Sequence, residues 1–174
     1  MSQNKLSRNN PIILDIEASG FGNGSYPIEV GFALPDKSTH CYLVKPEPDW
    51  NHWNIGAEEV HGIKREILLE KGLPVKEVAE QLNQYLANQT VYSDGWGYDL
   101  SWTSLLFAAA DINMQFRIET LYTLLEEDQL VLWEKSRKAV IKKLGIQRHR
   151  ASSDARIIQE TYLHTRERLQ EQSA

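Results

Sequence analysis

PIILDIEAS, residues 11–19, is the stretch from which the rest of the chain is best approached. Read as a β-strand, it sends Ile12, Leu14 and Ile16 to one face and Ile13, Asp15 and Glu17 to the other. One face is then wholly apolar, and the other carries two carboxylates at strand spacing. Both leave the backbone in the same direction, so they can reach one cation between them. A D-x-E pair alone is weak evidence, because solvent-facing strand edges often carry one. The adjoining turn is more specific: Ala18-Ser19-Gly20-Phe21 is small and flexible and ends in an aromatic ring. Backbone can approach a ligand at such a turn, and the ring offers a stacking surface.

The segments YPIEVGFAL (26–34) and THCYLVKP (39–46) alternate in the same way and turn around PDKS, which makes a three-strand meander. Pro74 starts a helix in which Val75, Val78, Ala79, Leu82, Tyr85 and Leu86 recur at helical spacing. TVYSD (90–94) returns as a strand, GWG (95–97) turns, and residues 99–112 form a largely buried helix. Residues 118–125 form a short strand or helix. Helices over 129–144, closed by Gly145, and over 153–170 complete the chain. A meander followed by strand and helix alternation indicates an α/β fold, a mixed sheet flanked by helices.

The length of 174 residues suits one domain, with the polar residues 1–10 as a loose tail lacking the features of a secretory signal. Hydrophobic residues at 41% and charged residues at 25% are ordinary globular values. No apolar run approaches the ~18 residues that a membrane-spanning helix needs. Cys41 is the single cysteine, so it forms no internal disulfide; a buried, inert thiol in a reducing cytoplasm is expected.

A net charge of −5 argues at first against a nucleic-acid partner. Its distribution reverses that. Residues 135–156 hold eight Lys or Arg side chains against Asp154 alone, a net of +7, which leaves the remainder at −12. Such segregation steers a polyanion to one face.

HRASSD, residues 149–154, lies in that basic stretch. Positions five apart on a helix differ by about 140°, so His149 and Asp154 share a face only if His149 lies in the preceding loop. Ser152 or Ser153 then caps the helix and Asp154 occupies its first turn, where the dipole favours an anion. Asp99, where GWG hands over to the buried helix, is an N-cap or a further acid of the same site; Asp94 competes with it.

Together these residues resemble the DEDDh subclass of the DEDD superfamily of 3′-to-5′ exonucleases, which includes proofreading exonucleases, ribonuclease T and oligoribonuclease. DIEASGF corresponds to the first motif, GYDLSWTSL to the second and HRASSDA, with its H-x4-D spacing, to the third; YPIEVGFAL and VHGI match further family segments. The resemblance covers most of the chain. It implies a ribonuclease H-like fold and two Mg²⁺ ions, for which Mn²⁺ substitutes, held by Asp15, Glu17, Asp99 and Asp154, with His149 as base. Ser19, Gly20, Phe21, His61, Arg148 and Arg150 would contact substrate. The chain departs from the pattern where Asp94-Gly95 replaces the common His-Asn. PEPDWNHWN, ahead of VHGI, is an additional stretch that brings Trp50, His52 and Trp53 into an exposed loop, where stacking on bases is one role and packing of the loop onto the core the more frequent one.

The expected activity is hydrolysis of terminal phosphodiesters of single-stranded DNA or RNA from the 3′ end, releasing nucleoside 5′-monophosphates. Four converging carboxylates need cations, because unit charges ~4 Å apart at an effective dielectric of ~20 repel by about 4 kcal/mol. Hard oxygen ligands without thiols suit Mg²⁺ or Mn²⁺. Two alternatives stand beside this reading: an inactive ribonuclease H-like binding module, and a metal-dependent phosphoesterase for small molecules. No membrane partner is expected, and the sequence does not fix whether the chain forms a homodimer.

Overall fold

The computed structural model describes residues 10–172. Except for Asn10, whose side-chain amide donates to the Pro35 carbonyl at 2.8 Å, the expected tail lies outside them. Five strands form one mixed sheet in the order β3-β2-β1-β4-β5. The meander is β1 (Ile12–Ala18), β2 (Pro27–Ala33) and β3 (Thr39–Leu43), all antiparallel. On the other side of β1, β4 (Thr90–Ser93) and then β5 (Arg117–Thr120) run parallel to it. The α-helices among the described residues are α1 (Ile55–His61), α2 (Arg65–Lys71), α3 (Val75–Leu86), α4 (Trp96–Ala110), α5 (Glu127–Leu144) and α6 (Ala151–Gln172).

β1 is central, so both its faces are covered. Ile12, Leu14 and Ile16 enter the larger core with Val78 and Leu82 of α3 and Trp102 and Leu106 of α4. Ile13 enters a smaller core with Ala155 and Ile158 of α6. Fully burying a side chain such as Ile13 or Leu14 contributes ~1.5–3 kcal/mol, which fixes the strand's register and with it the direction of Asp15 and Glu17. The β1–β2 pairing shifts register between Glu17 and Ala18; such an irregularity bends a strand and re-aims the side chains beside it.

Several local expectations need correction. The helix expected from residue 99 begins at Trp96 with Gly95 as its N-cap, so Asp99 is a first-turn residue and not a cap. The last helix begins at Ala151, and its first bond runs from the Asp154 N–H to the Arg150 carbonyl at 2.9 Å. Ser152 and Ser153 are therefore inside the helix and do not cap it. Residues 118–125 contain both alternatives, β5 and then a 3₁₀ turn over Leu121–Thr123. Cys41 is exposed and not buried; its thiol is still pushed up to about 11, chiefly by desolvation and also by the Glu29 carboxylate. The PEPDWNHWN loop is less exposed than expected, while its aromatics take the more frequent of their two roles and pack onto the core: Trp50 is buried and stacks on Tyr26 at 5.2 Å, and the Trp53 indole donates to Glu58 at 2.7 Å. No helix among the described residues is long and apolar enough to cross a membrane.

Candidate metal and nucleic-acid site

The carboxyl ends of β1 and β4 lie side by side, and α4 and α6 both begin near them. Carboxylate oxygens of Asp15 and Glu17 on β1 and of Asp154 on α6 lie within 4.8 Å of one another. Asp154 is 8% exposed. Its Oδ2 accepts the His149 backbone N–H at 2.7 Å, while its Oδ1 is buried with no hydrogen-bond partner among the described residues. A buried carboxylate oxygen left without a donor is costly, so the position calls for a cation.

Asp99 stands beside this trio, projecting from the first turn of α4 with 4% exposure and accepting a hydrogen bond from Ser93 Oγ at the end of β4. The four acids act on one another. Burial raises Asp15 well above the ordinary carboxylate range, and the charges of Asp99, Glu17, Asp94 and Asp154 raise it further. Glu17 is pushed up to about 7 by burial, then by Asp154 and Glu29. Asp99 is also pushed up to about 7, by burial against the opposing Ser93 hydrogen bond. Asp94 makes a fifth acid; burial raises it and Arg137, 3.4 Å away on α5, pulls it down.

His149 lies in the loop before α6, as its spacing from Asp154 predicts, with a left-handed φ of 60°. It lines a cavity of about 500 Å³ together with Glu17, Ala18, Phe21, His61 and Trp102. Phe21 is 68% exposed and stands edge-on to Tyr98 at 5.0 Å, and Tyr98 stacks on Trp102 at 5.6 Å. This makes a three-ring platform at the cavity, of which the sequence suggested only Phe21. Gly20, at φ 137°, is required there: a Cβ would lie 2.6 Å from Asn54 Cβ.

His61, 3% exposed, accepts the Ile63 N–H on Nδ1 at 3.0 Å, while its buried Nε2 has no hydrogen-bond partner among the described residues. Burial lowers its pKa, so the ring is neutral, and an accepting Nδ1 leaves the proton on Nε2. The cavity wall thus holds one hydrogen-bond donor of fixed tautomer.

Two expected substrate contacts are engaged elsewhere. The Ser19 hydroxyl is buried between His52 Nδ1 at 2.9 Å and the Tyr26 N–H at 3.1 Å, so it fastens the turn. Arg150 forms a two-pronged pair with Glu29, Nε to Oε1 at 2.9 Å and Nη2 to Oε1 at 2.5 Å, and its guanidinium does not stand free. Arg148 is exposed. Glu29 was legible as an acid in the otherwise apolar YPIEVGFAL, since a charge buried there needs a partner.

No protein-family model matches the chain, and no curated protein does. Solved structures do. Pop2p of S. pombe, in its Mg²⁺- and Mn²⁺-bound form, superposes with a TM-score of 0.65 at 17% identity, covering 95% of this chain and 86% of that one. E. coli exonuclease I in complex with a dA16 oligonucleotide gives 0.66 at 14% identity over 91% of this chain. Exonuclease I from Methylocaldum szegediense gives 0.54 at 15% identity over 78%. The fold is ribonuclease H-like. The present chain spans 41% and 30% of those two exonuclease I chains, respectively.

Proposed function

We propose that the protein is a divalent-metal-dependent 3′-to-5′ exonuclease of the DEDDh type, acting on single-stranded nucleic acid and releasing nucleoside 5′-monophosphates. The observation that carries this is the convergence of Asp15, Glu17 and Asp154 oxygens within 4.8 Å, with Glu17 of this trio lining a cavity that His149 also lines. The structural neighbours support it: one is described with Mg²⁺ and Mn²⁺ bound, and another with an oligonucleotide.

The donor set fits Mg²⁺ or Mn²⁺, being all carboxylate oxygen, with one buried oxygen unpartnered. Asp15, Glu17 and Asp154 would hold the ions, with Asp99 completing the set. When bound, the ions screen the carboxylates and stabilise charge on the oxygens of an in-line displacement. His149 takes the proton of the attacking water, the general-base task that histidine side chains most often perform. Phe21, Tyr98 and Trp102 offer rings for the terminal base, and the apolar cavity excludes water around it. His61 Nε2–H meets an acceptor on the same nucleotide. Exposed Arg148 and the lysines of α5 attract the strand's phosphates.

This arrangement favours a nucleotide over a small phosphoester, because an aromatic platform and apolar walls have no use for the latter. Retention of all four acids and of His149 speaks against an inactive binding module. The test is digestion of 5′-labelled DNA and RNA oligomers with Mg²⁺, beside a chelator control and a chromogenic phosphoester. Stepwise shortening from the 3′ end that stops with chelator and with Asp15→Asn is expected. Binding without shortening, or turnover of the chromogenic compound alone, would overturn the proposal.

A further inference from the structure

Glu29 is fully buried on β2, directly opposite Glu17 in the β1–β2 register. Its carboxylate gathers three donors from one short segment: Arg150 Nε at 2.9 and 3.1 Å, Arg150 Nη2 at 2.5 Å and the Ala151 N–H at 2.8 Å. Two residues further along β2, the backbone of Gly31 meets the same segment so closely that a Cβ would lie 2.1 Å from Ser152 N. The start of α6 is therefore docked onto β2 at two points, one electrostatic and one steric.

His149 comes immediately before this anchor and carries the left-handed φ of 60° that non-glycine residues seldom adopt. Such a backbone persists only where its surroundings determine it. On one side its N–H is held by Asp154 Oδ2 at 2.7 Å, and on the other the chain is held through Arg150 and Ala151 by Glu29. The β2 anchor, directly across the strand pair from Glu17, thus holds the backbone that carries the His149 ring. A buried ion pair is weak evidence for stability alone, since its desolvation offsets its attraction. Its geometric consequence here is specific.

We propose that Glu29 and Arg150 are positioning residues for the reaction: as one clamp they fix the segment 149–151, so that His149 stands beside Glu17, and they take no part in the chemistry. The proposal rests on the exonuclease reading, in which His149 is the base. It replaces the expectation that Arg150 contacts phosphate.

The experiment compares wild type with Glu29→Gln, Arg150→Met, Arg150→Lys and the Glu29→Gln/Arg150→Met double variant. The readouts are kcat and KM on a 3′ single-stranded oligomer, the Mg²⁺-induced rise in Tm, and amide exchange at His149. Displacing a catalytic group by ~1 Å costs about 10²-fold in rate, so each single neutral variant should lose roughly 10- to 100-fold in kcat with KM nearly unchanged. The double variant should be no worse than the poorer single one, because both changes break one unit. Arg150→Lys keeps the charge without the fork and should fall between. The Mg²⁺-induced shift should survive, and the His149 amide should exchange at least about tenfold faster than in wild type. Lower Tm with wild-type kcat, or a KM effect alone, would show a merely structural pair or a phosphate contact and sink the proposal. Should Glu29→Gln not fold, Arg150→Lys decides on the same criteria. Should wild type itself cut no oligomer, the exonuclease reading fails, and unaltered His149 exchange in the variants would separately refute the clamp.

Discussion

Arg137 on α5 reaches Asp94 just after β4, with Nη1 3.4 Å from Oδ2, and so brings a guanidinium to an acid of the site's rim from a helix that contributes none of the four site acids. The pair is half-buried. Without it, Asp94 would add an unbalanced charge beside Asp15, which already feels Asp94 as a raising influence.

Arg137→Met should therefore destabilise the metal-free protein more than an exposed lysine change would. The expected cost is about 1–2 kcal/mol, between the ~0–1 of a surface pair and the ~3–5 of a broken buried one. Thermal melts at pH 7 would show it as a lower Tm. Mg²⁺ should recover more of the loss in the variant than it adds to wild type, and an unchanged Tm would mean that the ion pair is ornamental.

His149→Ala should lower kcat by about 10² to 10⁴, the usual worth of a general base. The ring contributes nothing to the Asp154 contact, which is made by the backbone N–H. Metal-induced stabilisation should consequently match wild type. Near-normal turnover across neutral pH would remove His149 from the mechanism.

The acids make metal-free stability depend on pH with a definite sign. Glu17 and Asp99 rise from ordinary values of 4.5 and 3.8 to about 7 in the folded chain. Groups with raised folded pKa values bind protons more tightly when folded, so stability falls as pH climbs from about 4 to about 7. Metal-free Tm should drop across that window, and the rise in Tm on adding Mg²⁺ should grow over the same window as mass action opposes repulsion. Asp15→Asn should flatten both trends and abolish turnover. A metal-free Tm that climbs from pH 5 to 7 would contradict the coupling.

Phe21→Ala removes the most exposed ring of the platform. Base stacking on an aromatic side chain is worth ~1–3 kcal/mol, so oligomer affinity should weaken correspondingly across base sequences, with little change in Tm. Fluorescence anisotropy with a labelled oligomer and the inactive Asp15→Asn background would measure it. Affinity equal to the parent's would assign the ring to loop packing.

The strand pattern of PIILDIEAS foretold the two-faced β1, because apolar Ile12, Leu14 and Ile16 alternating with Asp15 and Glu17 leave a period-2 trace in the sequence. Asp154 and His149 were equally legible, since helix angles alone exclude both from one helical face. The two seven-residue helices α1 and α2 left no such trace: two turns hold too few apolar positions for a period, although Asn54, whose side chain accepts the Ala57 N–H at 3.0 Å, and Gly62 at φ 69° mark the ends of α1. Arg150 misleads for a different reason. Charge counting treats every guanidinium as available, whereas a partner 121 positions away has already engaged this one.

The cavity's walls have unequal ancestry in the folding of the chain. One wall is β1, the middle strand of the sheet, paired along its length with β2 and at Ile12 and Ile13 with β4, with a core packed on each face. The opposite wall is α1, a helix of seven residues joined by short connections and leaving Val60 exposed. Amides of β1 should exchange only through global unfolding, while those of α1 escape through brief local openings. Under the proposed exonuclease reading, Asp15 and Glu17 ride on a persistent cooperative unit and the α1 wall on a looser one, so that product would depart through α1 without these two acids losing their mutual distance.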